Sequence, residues 1–108
     1  MQIEVVLAGA VRSPIGKFGG ALASLTAVEL GNQTGRAALA RAGIGPERVD
    51  QAIFGHARQA GCGPNPARQV AVGCGIPVER PAYTINQACL SGLQSILAAT
   101  RAIRLGEA

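Results

Sequence analysis

Short apolar runs alternating with helical patterns set the strongest limit on how this chain can fold. Ile3 to Ala10 is apolar almost throughout, with Val5, Val6, Leu7 and Ala8 in succession. It reads as a strand buried on both faces. Thr26-Ala27-Val28-Glu29 is a capping box with Thr26 as N-cap, opening a helix to about Ala42 that Gly43 is suited to stop. Pro46-Glu47-Arg48-Val49 reads as a short helical turn, and Gln51 to Gly55 as a second buried strand. Asn65 as N-cap and Pro66 at the first helical position open another helix, which stops near Gly73 or Gly75. Tyr83-Thr84-Ile85 suits a third strand, and the last helix runs from about Cys89 to Leu105, with Arg101, Arg104 and Gly106 fitting its end. The order β-α-β-α-β-α predicts an α/β layered fold, with a largely parallel sheet and right-handed crossovers.

The final helix carries an expectation of its own. Leu93, Ile96, Leu97 and Ile103 form a stripe, and Ala98, Ala99 and Ala102 widen it until few positions look solvated. Such a helix should be buried on most sides. Three strands and three helices make a thin sheet with exposed edges. The 108 residues are therefore expected to be one part of a larger fold. The alternative is a self-sufficient small domain.

Composition removes several function classes. The chain is 48% hydrophobic and 15% charged, which suits a folded protein rather than a disordered one. Its net charge of +4 comes from scattered arginines rather than a basic run, and aromatic content is 3%, so nucleic-acid binding has little support. The arginines could meet anionic substrate groups or a partner chain, though scattered charge is more often solvated surface. No apolar run approaches membrane-spanning length. The cysteines Cys62, Cys74 and Cys89 follow neither C-x-x-C nor a zinc spacing, and His56 is the only histidine, so no metal site is expected. Their odd number, without a signal peptide, suggests a reducing, cytoplasmic setting.

Two glycine-rich loops tempt a phosphate-binding reading, and neither satisfies it. In Arg12 to Gly20 the first glycine of a P-loop would fall on Val11, and Phe18 stands where Ser or Thr is needed. In Gly61-Cys62-Gly63-Pro64-Asn65-Pro66 the last glycine of a dinucleotide fingerprint is replaced by Pro66. Gly31 and Gly35, one turn apart, read as close packing of the first helix on another backbone.

The chemistry points to Cys89. An extended segment runs through Asn86-Gln87 into the cysteine and then into a helical pattern. Unpaired amides at a helix start favour negative charge, and the thiolate is the nucleophilic form of a thiol. Ala88, Ser91 and Gly92 leave room beside the sulfur. The competing reading is a small buried cysteine capping a core strand. Cys74, at a helix end, reads as packing.

Three segments, taken together, resemble the thiolase family. Arg12-Ser13-Pro14-Ile15-Gly16-Lys17-Phe18-Gly19-Gly20 is similar to the loop after the first strand of thiolases. Gly61-Cys62-Gly63-Pro64-Asn65-Pro66-Ala67-Arg68-Gln69 resembles the G-x-G-x-N-P-A-R-Q segment, and Asn86 to Gly92 the N-x-x-C-x-S-G nucleophile motif. Ala102 to Ala108 continues as thiolases do. Ketoacyl synthases also place a cysteine at a helix start, but are not expected to share the first two segments.

The resemblance implies a fold of two similar layered halves, each with a five-stranded sheet between helices. Residues 1–108 would be a partial N-terminal domain, with the rest of that domain and the C-terminal domain absent. It implies acyl transfer on coenzyme A thioesters, with Cys89 as the acylated nucleophile of an acetyl-CoA C-acetyltransferase and its backbone N–H helping to bind the oxyanion. Acetyl-CoA or another acyl-CoA would be substrate, with no permanently bound cofactor. Partners would be the remainder of the thiolase chain and further copies, as a homodimer or homotetramer. The family's catalytic histidines and second cysteine lie in the C-terminal half, so His56, Cys62 and Cys74 take none of those roles. The fragment alone would be inactive, and no coenzyme A contacts are assigned. The alternatives are a degradative 3-ketoacyl-CoA thiolase and a non-catalytic scaffold or dimerisation piece.

Overall fold

The computed structural model describes residues 2–108. Helix α1, Ala27–Ala42, begins where the capping box places it. The Thr26 hydroxyl accepts from the Glu29 N–H at 3.1 Å, and the Glu29 carboxylate accepts from the Thr26 N–H at 2.6 Å. The backbone N–H of Thr26, and then its hydroxyl, hold the Glu29 carboxyl below its ordinary range. Gly43 ends the helix in the left-handed region at φ 68°. A 3₁₀ turn, Pro46–Arg48, leads to strand β1, Ala52–Gly55. Helix α2, Pro66–Gly73, follows, then strand β2, Ala82–Ile85, and helix α3, Ser91–Leu105.

β1 and β2 pair in parallel, with Ala52 opposite Ala82 and Gly55 opposite Ile85. The α/β class with a parallel pair linked through a helix is therefore present. α1 and α2 pack on each other, α2 also covers both strands, and α3 lies chiefly along β1. Ala52, Val70, Ala71, Cys74 and Ile76 form the core, with Leu39, Val49 and Phe54 packed around them. Gly31 and Gly35 do serve close packing, against side chains of α2 and of its C-cap residue Cys74 rather than against backbone. A Cβ at Gly31 would stand 2.6 Å from Val70 Cγ2, and one at Gly35 would stand 2.7 Å from Cys74 Sγ.

The first expected strand is not one. Residues 2–11 belong to no helix or strand, so the element order is α-β-α-β-α rather than β-α-β-α-β-α. A strand exists only through its neighbour, and the described sheet contains β1 and β2 alone. Gly9 turns the segment into the left-handed region at φ 67°. Arg41 of α1 anchors it by donating to the Ala10 carbonyl at 2.7 Å. Val6 and Leu7, expected to be buried, are 73% and 77% exposed. A cleft of about 520 Å³ remains between α1, β1, α2 and α3, lined by Leu39, Ile53, Phe54, Val70 and Ile96, and Ala8 reaches its wall.

Helix α3 starts at Ser91, two residues after the expected Cys89, and within residues 2–108 only its Ser91 and Ala102 are buried. Leu93 is 57% exposed, and Ile96, Leu97 and Ile103 are also exposed. Periodicity identifies which face of a helix is apolar, but other elements must arrive to cover it. Here the sheet touches one side only.

Candidate active site

The site forms where the two parallel strands end. His56 continues the ladder past β1 by donating its N–H to the Ile85 carbonyl at 3.0 Å. Gly55 lets α3 begin directly against the strand, since a Cβ there would overlap the Ser91 carbonyl and the Gly92 nitrogen. Glycine at this position is thus required by close backbone approach rather than by φ.

Between β2 and α3 the chain makes a tight turn. Ala88 takes φ 49°, a left-handed conformation uncommon for a residue with a Cβ. Three sets of hydrogen bonds hold it there. The Leu90 N–H donates to the Gln87 carbonyl at 3.0 Å and the Ser91 N–H to the Ala88 carbonyl at 3.2 Å. The Ser91 hydroxyl accepts from the Gln87 N–H at 2.9 Å and donates to the Ala88 carbonyl at 2.6 Å. The Asn86 Oδ1 accepts from the Ala88 N–H at 3.0 Å, while its Nδ2 donates to the Ala57 carbonyl in the loop after β1 at 3.0 Å.

Cys89 sits at the crest of this turn and is exposed. The core-cysteine reading is therefore not what the structure contains. The residue precedes the N-cap, Leu90, which carries no side-chain cap. Among the described residues the Cys89 N–H makes no hydrogen bond. An exposed thiol beside an unengaged amide at a strand-to-helix turn is a geometry in which a nucleophile and an oxyanion donor could face one carbonyl group.

The other two cysteines behave differently. Cys74 is buried at the end of α2, with its thiol donating weakly to the Asn32 carbonyl at 3.7 Å. Burial pushes its thiol above the ordinary value, and the charge and backbone N–H of Arg36 oppose this only in part. Cys62 lies half-buried in the loop before α2. Gln69 ties that loop down by donating to the carbonyls of Cys62 at 2.7 Å and Pro64 at 2.9 Å. His56 lines a small cavity of about 160 Å³ with Gly31, Gly55, Pro66 and Val70, a cavity that Cys89 does not line. Among the described residues no group of three or more His, Cys, Asp or Glu is placed to hold a metal ion.

The Asn-Pro-Ala-Arg-Gln segment carries architecture. Asn65 is the N-cap of α2 but its side chain does not cap it. Thr84 of β2 does so instead, accepting from the Ala67 N–H at 3.0 Å while donating to Asn65 Oδ1 at 2.7 Å. The Arg68 guanidinium donates to the carbonyls of Val78 and Arg80, holding the approach to β2. Sequence reasoning placed Asn86 and Ser91 within the nucleophile motif but gave neither a role in holding the turn. The available signal was a hydroxyl two residues past the cysteine, at the first turn of an otherwise apolar helix, where Ser commonly bonds to nearby backbone.

Fold and turn together define an α/β protein that presents a thiol at the carboxyl end of a parallel strand pair. The family model described as the thiolase N-terminal domain matches residues 5–108, and the chain belongs to the thiolase family. It is 49% identical over 105 residues to an acetyl-CoA acetyltransferase of Cupriavidus necator, covering 97% of this chain and 27% of that protein. It is 52% identical over 92 residues to an acetyl-CoA acetyltransferase of Clostridioides difficile, covering 85% of this chain and 86% of that sequence. The crystal structure of the Bacillus anthracis acetyl-CoA acetyltransferase superposes with a TM-score of 0.89 at 44% identity, covering 95% of this chain and 26% of that one. The chain thus spans about a quarter of the length of the Cupriavidus and Bacillus proteins. No helix among the described residues is long and apolar enough to cross a membrane.

Proposed function

We propose that these residues carry the nucleophile of an acetyl-CoA C-acetyltransferase. The observation that carries the reading is Cys89, exposed at a hydrogen-bonded strand-to-helix turn with its own N–H unengaged. The Cys89 thiolate attacks the thioester carbonyl of acetyl-CoA, and the tetrahedral oxyanion meets the Cys89 N–H. The C–S bond to coenzyme A breaks, the coenzyme leaves as thiolate, and the acetyl group stays on Cys89. A carbanion derived from a second acetyl-CoA then attacks the acetyl-cysteine, forming acetoacetyl-CoA and freeing the thiolate. The reverse sequence cleaves acetoacetyl-CoA. Splitting one hard transfer into two easier ones is the gain from covalent catalysis, and it gives ping-pong kinetics. Acetyl is preferred over the longer acyl chains of a degradative 3-ketoacyl-CoA thiolase because the relatives above are named for acetyl transfer.

Residues 1–108 are read as the first part of the N-terminal domain of a longer enzyme. The uncovered stripe of Leu93, Ile96 and Leu97 on α3 supports this, because it requires a further surface to pack against. That surface belongs to the remainder of the chain, which also supplies the general base and the coenzyme A contacts. The same stripe favours a second reading, a non-catalytic scaffold or dimerisation piece. The assembled enzyme is a homodimer or homotetramer and needs no permanently bound cofactor. A cytoplasmic location is supported by a mouse relative named as cytosolic, 43% identical over 103 residues.

The test is direct. The complete protein is incubated with acetyl-CoA, quenched, and its Cys89 peptide weighed. An added acetyl group is expected on wild type, and Cys89→Ser is expected to abolish transfer while remaining folded. An unmodified peptide under turnover conditions removes the reading, as does an active serine variant. Condensation by the 108-residue piece alone would exclude the scaffold alternative.

A further inference from the structure

Ser91 is the only buried polar residue among the described residues, at 4% exposure. Its place is specific. The hydroxyl bridges the Asn86–Gln87 and Ala88–Cys89 peptide groups, accepting from the Gln87 N–H at 2.9 Å and donating to the Ala88 carbonyl at 2.6 Å. Ala88 lies between them and holds φ 49°, in the left-handed region, where the chain turns into Cys89. A residue with a Cβ is disfavoured there, so the conformation persists only when its surroundings over-determine it. Asn86 supplies the second restraint from the exposed side, bonding the Ala88 N–H and the Ala57 carbonyl at once.

We propose that Ser91, assisted by Asn86, is a positioning residue: its buried hydroxyl locks the left-handed turn at Ala88 and thereby sets the direction of the Cys89 thiol and amide. The inference rests on Cys89 being the acylated nucleophile. Without the hydroxyl, the Gln87 N–H and one bond to the Ala88 carbonyl lose their partner, and the turn samples other conformations. The thiol stays exposed and chemically competent, but it no longer shares a fixed geometry with the oxyanion donor. A misplacement of order 1 Å costs up to about 100-fold in rate.

The experiment uses the complete protein as wild type, Ser91→Ala and Ser91→Thr, each shown to be folded by circular dichroism. The rate of acetylation of Cys89 by acetyl-CoA is followed by quenched-flow mass spectrometry, beside the rate of its alkylation by iodoacetamide. Acetylation of Ser91→Ala slowed about 10- to 100-fold is expected, with alkylation within about 3-fold of wild type. Ser91→Thr, which keeps the hydroxyl, should recover most of the acetylation rate. A merely structural serine would lower the melting temperature and leave acetylation per folded molecule unchanged, and that result overturns the proposal. If Ser91→Ala does not fold, Asn86→Ala tests the same turn: slowed acetylation supports the proposal and a wild-type rate overturns it. Absence of acetyl on wild-type Cys89 instead defeats the nucleophile reading itself.

Discussion

Replacing Gly55 with alanine should damage both stability and the reactivity of a residue far along the chain. The added Cβ would overlap the carbonyl carbon and oxygen of Ser91 and the nitrogen of Gly92. Ordinary contact begins near 3.4 Å, and all the obstructing atoms are backbone, so no side chain can swing aside. Either β1 or the first turn of α3 must move by about 1 Å, a shift that close-packed interiors resist. Overpacking of this kind costs about 1–3 kcal/mol. The same shift moves the turn that carries Cys89, so acetylation should slow about 100-fold. Urea unfolding of the complete protein reads the first effect, and quenched acetylation of Cys89 reads the second. A Gly55→Ala protein with unchanged midpoint and wild-type acetylation would show that the strand end does not set the position of the turn.

Two further substitutions separate architecture from chemistry. Thr84→Val keeps the shape but removes the hydroxyl that caps α2 and bonds Asn65, and should cost about 1–3 kcal/mol in urea unfolding, with acetylation changed little. Cys74→Ala should leave acetylation within about 2-fold and cost roughly 1 kcal/mol of packing; a loss as deep as that of Cys89→Ser would overturn its assignment to the core. Because burial raises the Cys74 thiol, the folded state holds that proton more tightly than the unfolded state. Its contribution is thus complete below the ordinary thiol range and fades as pH rises through the raised value. The alkaline fall in wild-type stability should be shallower in Cys74→Ala, measured by urea midpoints across that range.

Features written in consecutive residues were legible. Thr26, Glu29 and Gly43 bounded α1 because caps are local chemistry, and Pro66 marked the start of α2 for the same reason. Features that depend on distant residues were not. The cap on α2 comes from Thr84, 17 residues after the amide it serves. Arg36, Arg41 and Arg68 looked like scattered surface charge, yet each donates to a backbone carbonyl on another segment. Apolar content suggested a strand at Ile3 to Ala10, but pairing needs a neighbour and Gly9 turns away. At the candidate site, a strand giving way to a helix after a cysteine was visible. Whether the thiol faced solvent was not, since both readings fit the same small neighbours. The left-handed turn at Ala88 carried no sequence signal, because alanine is not a residue that favours it.

The capping of α2 by Thr84 also bears on where this polypeptide can be spliced. A helix of eight residues is too short to persist alone in water. With its first amide completed from β2, helix and strand should assemble as one cooperative step. Chimeras between related sequences should therefore keep residues 65–85 from a single parent. Crossovers inside that span would separate a helix from the side chain that begins it, whereas the loop before Gly61 offers a safer joint.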